Sequence, residues 1–184
     1  MKLKWFFLFL LIGLPVGVYL FLQAFGENEF TIPIYFQEGL TGLNGCQNSH
    51  DSSQYKVDYL LSENQNWEKD RHVVYGFIDD LSVQELTNLH SFLSRERNQV
   101  FFVSLSSDSI MDQEFEGYSD ALFLIDSVQR VDSIIRCSLR VDSDEKAHLV
   151  LCDSERRIRG YYDPRSLKEI DRLNTEIEIL LAYE

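Results

Sequence analysis

The chain has 184 residues, with 30 Asp and Glu against 17 Lys and Arg and a formal net charge of −13 at pH 7, a size that suits one domain with additional segments. All 30 carboxylates but only 15 of the basic residues lie beyond Gly26, so that part carries −15, which excludes the basic footprint nucleic acid demands and disfavours docking on anionic lipid. Cys46, Cys137 and Cys152 show no CxxC, CxxCH or zinc spacing, so no redox or structural-metal motif is readable from the cysteines alone.

Residues 1–26 open with Lys2 and Lys4 and then run apolar from Trp5 to Leu22 without a charge. That length is enough to cross a bilayer core of ~30 Å as a helix, with the lysines on the cytoplasmic side. A cleaved signal peptide fits less well, because the exit offers only Ala24 and Gly26 around the bulky Phe25. The expectation is an uncleaved single-pass anchor in a bacterial inner membrane, with the remainder in the periplasm.

Residues 27–71 read as an extended lead-in. Residues 31–36 (TIPIYF) and 55–61 (YKVDYLL) have strand character, and the Gly-, Asn- and Ser-rich stretch 38–54 between them is loop material. From residue 72 the pattern sharpens. Residues 73–78 (VVYGFI) form an apolar run suited to a strand covered on both faces. Ser82 and Glu85 then make a capping box, followed by Val83, Leu86, Leu89, Phe92 and Leu93 at the spacing of one buried helix face.

Residues 100–105 (VFFVSL) and 121–125 (ALFLI) are two further strands, and residues 127–139 form a short helix with Val128, Val131, Ile134 and Ile135 inward. Residues 148–153 and 157–163 flank the turn "SER" as a hairpin. A last helix begins at Pro164 with Asp163 as N-cap, burying Leu167, Ile170, Leu173, Ile177 and Leu180. The order strand-helix-strand, strand-helix-hairpin-helix predicts an α/β fold, a thioredoxin-like mixed sheet with flanking helices over 72–184.

The stretch "AHLVLCDSERRIRGYYD" and the helix "EIDRLNTEIEILL" resemble the closing part of the SCO/SenC family, thioredoxin-fold copper chaperones of cytochrome oxidase assembly. Asp153 and residues 157–163 carry the likeness, with Cys152 where the family has Val, and the lead-in "FTIPIYFQEG" is similar too. The resemblance implies a Cys-x-x-x-Cys pair just after the first core strand and a copper-binding His before the hairpin. Between Phe77 and Leu86 there is no cysteine, histidine or methionine, and His148 lies three or four positions too late. Cu(I) prefers soft sulfur, and thiol exchange needs a thiolate, so neither family chemistry is expected at that place and no cofactor is expected. The connection over 106–120 is also shorter than the family's.

Other constellations weigh less. Cys46 and His50, four apart beside Asp51, are a weak metal pair in a loop setting, and Cys137 with Cys152 is a pairing left open. Asp79 and Asp80 follow the first strand at the edge where α/β proteins place their sites, although an Asp there more often only leads into the helix. His72 and His90 read as surface or helix-face residues. Arg157, Arg159, Tyr161 and Tyr162 are residue types enriched at docking surfaces.

The expected function, drawn from the resemblance, is a non-catalytic SCO-like accessory, assembly or structural partner of a respiratory complex such as the haem-copper cytochrome c oxidase. The alternative is a redox or metal-binding envelope protein using Cys46/His50 or Cys137/Cys152.

Overall fold

Four of the five strands consist of near-continuous apolar residues because both faces of the sheet are covered. The computed structural model describes residues 2–25, 31–39, 46, 54–57, 71–79, 81–95, 100–107, 121–141 and 148–183. Its elements are helix α1 (Lys2–Phe25), strand β1 (His72–Phe77), helix α2 (Val83–Leu93), strands β2 (Val100–Ser106) and β3 (Ala121–Ile125), helix α3 (Val128–Ser133) continued by a π turn (Ile134–Ser138), strands β4 (Leu149–Cys152) and β5 (Ile158–Tyr162), and helix α4 (Leu167–Tyr183). The chain divides into two units, Met1–Thr31 and Ile32–Glu184. The described lead-in residues from Ile32 onward belong to the second unit.

In the first unit α1 forms over 24 residues with Pro15 inside it. Among the described residues no helix is long and apolar enough to cross a membrane.

In the second unit the sheet order is β3-β2-β1-β4-β5. β1, β2 and β3 are parallel, and β4 is antiparallel to both β1 and β5. This is the strand arrangement expected of a thioredoxin-like domain. Alternation along β1 sends Val74 to one core, with Ile78, Phe102, Leu149, Leu151 and Tyr162, and sends Val73, Tyr75 and Phe77 to the other. The first core is closed by α2 and α4 through Leu86, Leu89, Phe92, Ile170, Leu173, Ile177 and Leu180. The second is closed by Val131, the half-buried Ile134 and Ile135, and the lead-in residues Val57, Phe36 and Tyr55.

Three residues expected inward are exposed: Val83 at 81%, Val128 at 59% and Leu167 at 60%. Each is the first residue of its helix, beyond the reach of the sheet. Helix α4 starts at Leu167 rather than Pro164, because Asp163 to Arg165 turn first. Asp163 accepts from the Arg165 amide at 3.0 Å, and the Ser166 carbonyl takes the bonds from Glu169 and Ile170 that open the helix.

The described lead-in forms no strand. Residues 31–34 and 54–57 run alongside the domain, and residues 58–70 lie outside the described residues. The Tyr35 amide donates to the Ile158 carbonyl at 2.9 Å, covering part of the β5 edge, and Val57 and Arg156 exchange bonds at 2.9 and 3.0 Å. Cys46 is disulfide-bonded to Cys137 on the π turn, with a Cα separation of 5.5 Å. The Tyr55 hydroxyl donates to the Ser138 carbonyl at 2.6 Å on the same turn.

The hairpin is set by Asp153, whose side chain is fully buried. Its carboxylate accepts from the Glu155 amide at 3.0 Å, the Arg157 amide at 2.9 Å, Arg157 Nε at 2.6 Å and Arg159 Nη1 at 3.0 Å. Arg159 also donates through Nη2 to the Ile32 carbonyl at 3.1 Å, fastening the lead-in. Four donors satisfy a charge that would otherwise be costly to bury. Gly160 follows because the Tyr162 ring lies across it, so that a Cβ there would meet Tyr162 Cζ at 2.6 Å. The ring is fixed by its hydroxyl bond to Glu176 at 2.5 Å and by the Arg172 guanidinium 4.6 Å from its centroid.

Removing the Asp153 charge strands two guanidinium groups, one of them buried, and is expected to cost about 3–5 kcal/mol. Urea unfolding of Asp153→Asn against the parent measures this; a change below about 1 kcal/mol would contradict the role given to Asp153.

Candidate functional site

The end of the sheet where β1 and β2 finish gathers residues far apart in sequence. Asp79 stands just past β1, and its carboxylate accepts from the Ser107 amide at 2.8 Å, from Ser107 Oγ at 2.6 Å, and from Ser106 Oγ. The carboxylate thus ties the end of β1 to the end of β2. Asp80, the second of the expected pair, lies outside the described residues.

Three residues later α2 begins with the capping box the sequence predicts. The Ser82 amide donates to Glu85 Oε2 at 2.6 Å, and the Glu85 amide donates to Ser82 Oγ at 3.5 Å. Glu85 also faces Arg165, with Nε 3.5 Å from Oε1, and Arg165 Nε lies 2.8 Å from Asp163 Oδ1. The Asn88 amide group donates to the Pro164 carbonyl at 2.8 Å, joining α2 to the turn before α4. His148 immediately precedes β4; its carbonyl accepts from the Phe77 amide at 2.9 Å, and its amide donates to the Tyr162 carbonyl at 3.1 Å.

The carboxylates described at this end each have partners within the protein. Burial pushes the Glu85 carboxyl up, but hydrogen bonds from Ser82 and the charges of Arg165 and His148 outweigh it and hold the group below its ordinary range. Asp163 behaves alike. Burial raises it, and the Arg165 hydrogen bonds and charge, with His148, bring it below the usual carboxylate range. Ser106, Ser107 and the Asp163–Arg165 turn had no motif to announce them; only the sheet's topology brings them to Asp79 and Glu85.

The cysteines stand elsewhere. Neither sequence-level pairing survives, because Cys46 is bonded to Cys137 and Cys152 is free and buried. Cys152 pairs in register with Val73, at the opposite end of β1 from Asp79. Burial, with the Asp153 charge beside it, pushes its thiol far up, so it stays protonated and unreactive. The Cys46/His50 metal pair loses its sulfur to the disulfide, and His50 lies outside the described residues. Among the described residues no three His, Cys, Asp or Glu side chains converge as a metal site.

The expected docking cluster is also taken up inside the fold. Arg157 and Arg159 bind Asp153. The Tyr161 hydroxyl donates to the Leu139 carbonyl at 3.1 Å, and Tyr162 is buried. Strand alternation and the buried carboxylate give each of these four side chains a bond or contact within the fold. His72 is buried at the start of β1, not on the surface as its polarity suggested.

No protein-family model matches the chain, and no curated protein is detectably similar to it. Solved structures do match. BsSco, described as a member of the Sco family of cytochrome c oxidase assembly proteins, superposes with a TM-score of 0.50 at 14% identity, over 64% of this chain and 84% of that one. A SCO1/SenC family lipoprotein from Bacillus anthracis gives 0.47 at 17% identity, over 61% and 83%. Arabidopsis thaliana ScoI with copper bound gives 0.43 at 19% identity, over 62% and 87%. At 14% identity the match to BsSco shows the fold alone, a thioredoxin-like α/β domain.

The copper that the family resemblance implies does not fit the described residues. Where the resemblance puts thiolates, the described donors are the oxygens of Asp79, Ser82 and Glu85, each already bonded within the protein. These are hard ligands unsuited to Cu(I), and all three sulfurs of the chain's cysteines lie outside this group.

Two outcomes follow. Ellman titration is expected to find no reactive thiol in the native protein, one after denaturation without reductant, and three after reduction; three thiols unmasked without reductant would contradict the disulfide. Because the folded Glu85 carboxyl is lowered, its contribution is present above its unfolded pKa near 4.5 and is lost as pH falls through the lower folded value. Glu85→Gln is therefore expected to be about 1 kcal/mol less stable than the parent at pH 7, with the difference shrinking below about pH 4. Urea midpoints at pH 7 and pH 3 check this, and a difference unchanged between them would refute it.

Proposed function

We propose that the chain is a membrane-anchored, outward-facing SCO-like protein without catalysis, acting as an accessory, assembly or structural partner of a respiratory complex, most directly a cytochrome c oxidase. The observation that carries this reading is the closed network at the end of β1. The scaffold is present, yet Asp79, Ser106, Ser107, Ser82 and Glu85 spend their polar groups on one another, which leaves binding as the use of the domain. The oxidase is suggested by the structural neighbours, BsSco among them, described as belonging to a family of oxidase assembly proteins. One fold hosts many functions, so the partner is the part that experiment must supply.

The anchor reading rests on the uncharged apolar run from Trp5 to Leu22 behind Lys2 and Lys4. The Cys46–Cys137 disulfide supports an outward-facing domain, because such bonds persist in oxidising compartments. A redox or metal reading through Cys46/His50 or Cys137/Cys152 is set aside, since neither pair is available.

Purification of the tagged full-length protein from its native membranes in mild detergent is expected to recover stoichiometric subunits of an oxidase or a related cytochrome complex. Recovery of the protein alone, or its release from membranes by a carbonate wash, would overturn the reading.

A further inference from the structure

Backbone strain gathers where the lead-in meets the domain. Among the described residues three non-glycine residues have positive φ: Phe36 at 57°, Arg140 at 57° and Arg156 at 67°. A bulky side chain disfavours that region, so the conformation persists only where surrounding contacts impose it. Phe36 lies on the lead-in itself. Arg156 exchanges bonds with Val57, and Arg140 places its guanidinium 5.1 Å from the centroid of the Tyr55 ring.

Tyr55 ties two of these residues together. Its amide donates to the Phe36 carbonyl at 3.1 Å, and its ring meets the Phe36 ring edge-on with centroids 6.1 Å apart. Its hydroxyl donates to the Ser138 carbonyl at 2.6 Å and lies 3.5 Å from the Cys137 carbonyl. Both carbonyls belong to the π turn Ile134–Ser138, a form that often marks functional segments. The same Cys137 carries the bond to Cys46.

Both bonded cysteines are half-buried, whereas Cys152 is buried. Disulfides that solvent can reach are the labile ones. Neither Cys46 nor Cys137 is among the buried residues of the two cores. The lead-in also has attachments that need no disulfide: Ile32 to Arg159, Tyr35 to Ile158, and Val57 to Arg156. The bond therefore pins the strained contact between Tyr55 and the π turn rather than the core.

We propose that the Cys46–Cys137 disulfide is a redox latch, which keeps Tyr55 seated on the π turn when oxidised and frees it when a dithiol protein reduces the bond. A thiolate of the reductant attacks one sulfur, forming a mixed disulfide and releasing the other cysteine as a thiolate, which takes up a proton. The reductant's second thiolate then displaces the remaining cysteine, which is protonated in turn. Two electrons and two protons pass to the latch, and the reductant leaves as a disulfide. Once Tyr55 is free, Phe36 and Arg140 relax from positive φ, and Ile134, Ile135 and Tyr161, which pack against the same core, gain exposure. The Arg159 bond to Ile32 keeps the lead-in tethered, so the change is local and reversible. The latch does not depend on which partner the domain binds.

The test compares the oxidised full-length protein in mild detergent with the same protein in excess dithiothreitol, reading amide hydrogen exchange residue by residue. Reduction of the folded protein is expected to yield two reactive thiols while Cys152 stays protected. The amides of Gly39 and Tyr55, both bonded to the Phe36 carbonyl, should then exchange at least about tenfold faster. The amides of Tyr35 and Val57 and those of β1 should keep their protection. Reoxidation should restore the slow rates, and Cys46→Ser/Cys137→Ser should show the fast ones without reductant. Tyr55→Phe, which removes only the hydroxyl bond, should shift the thiol–disulfide equilibrium toward the reduced form about fivefold.

A bond that resists excess dithiothreitol in the folded protein would overturn the latch. So would unchanged exchange at Gly39 and Tyr55 after reduction, or equal acceleration at Tyr35, Val57 and β1, which would make the disulfide a staple of the whole fold.

Discussion

A single buried carboxylate organises the C-terminal half of the domain. Asp153 sits at the end of β4 with no exposed surface, and its oxygens take up two backbone amides and two guanidinium groups. The amides shape the turn, in which Arg156 adopts a φ of 67°, and the turn fixes how β5 returns along β4. Arg159 then carries the constraint outward to the Ile32 carbonyl, so the segment entering the domain is held by the same charge that closes the hairpin. An ion cluster of this kind adds little net stability over apolar packing. Its effect is geometric, because one arrangement of turn, strand and lead-in brings its members together.

This constraint explains which parts of the chain were legible. Apolar runs such as VVYGFI and ALFLI give β1 and β3 within a residue of their observed limits, and Ser82 with Glu85 places the start of α2 correctly. Those features are local. The errors are where a residue's fate depends on distant chain. Val83, Val128 and Leu167 match a buried stripe by spacing, and only the sheet's extent decides that they overshoot it. Pro164 is a favoured helix opener, but the Asp163–Arg165 turn forms first. The lead-in looks strand-like because its alternating apolar residues do pack inward, at Ile32 and Val57, without entering the ladder.

The candidate site shows the same division. Asp79 at the end of β1 could be singled out by position, whereas its partners Ser106 and Ser107 lie 27 and 28 residues away and carry no pattern. Arg157, Arg159, Tyr161 and Tyr162 illustrate the converse. Residue types enriched at interfaces are also those able to satisfy a buried charge or fill a core, and here each has a bond or contact within the fold.

The position of the disulfide bears on how the chain matures. Cysteines leave the ribosome in the order 46, 137 and 152, so the native pair is the first pair that can exist. Cys152 arrives only with β4, a strand flanked by β1 and β5 that buries its thiol as the sheet forms. Vectorial synthesis and burial together favour the correct bond over its two competitors, and a chain with an odd number of cysteines can oxidise without depending on an isomerase to sort them.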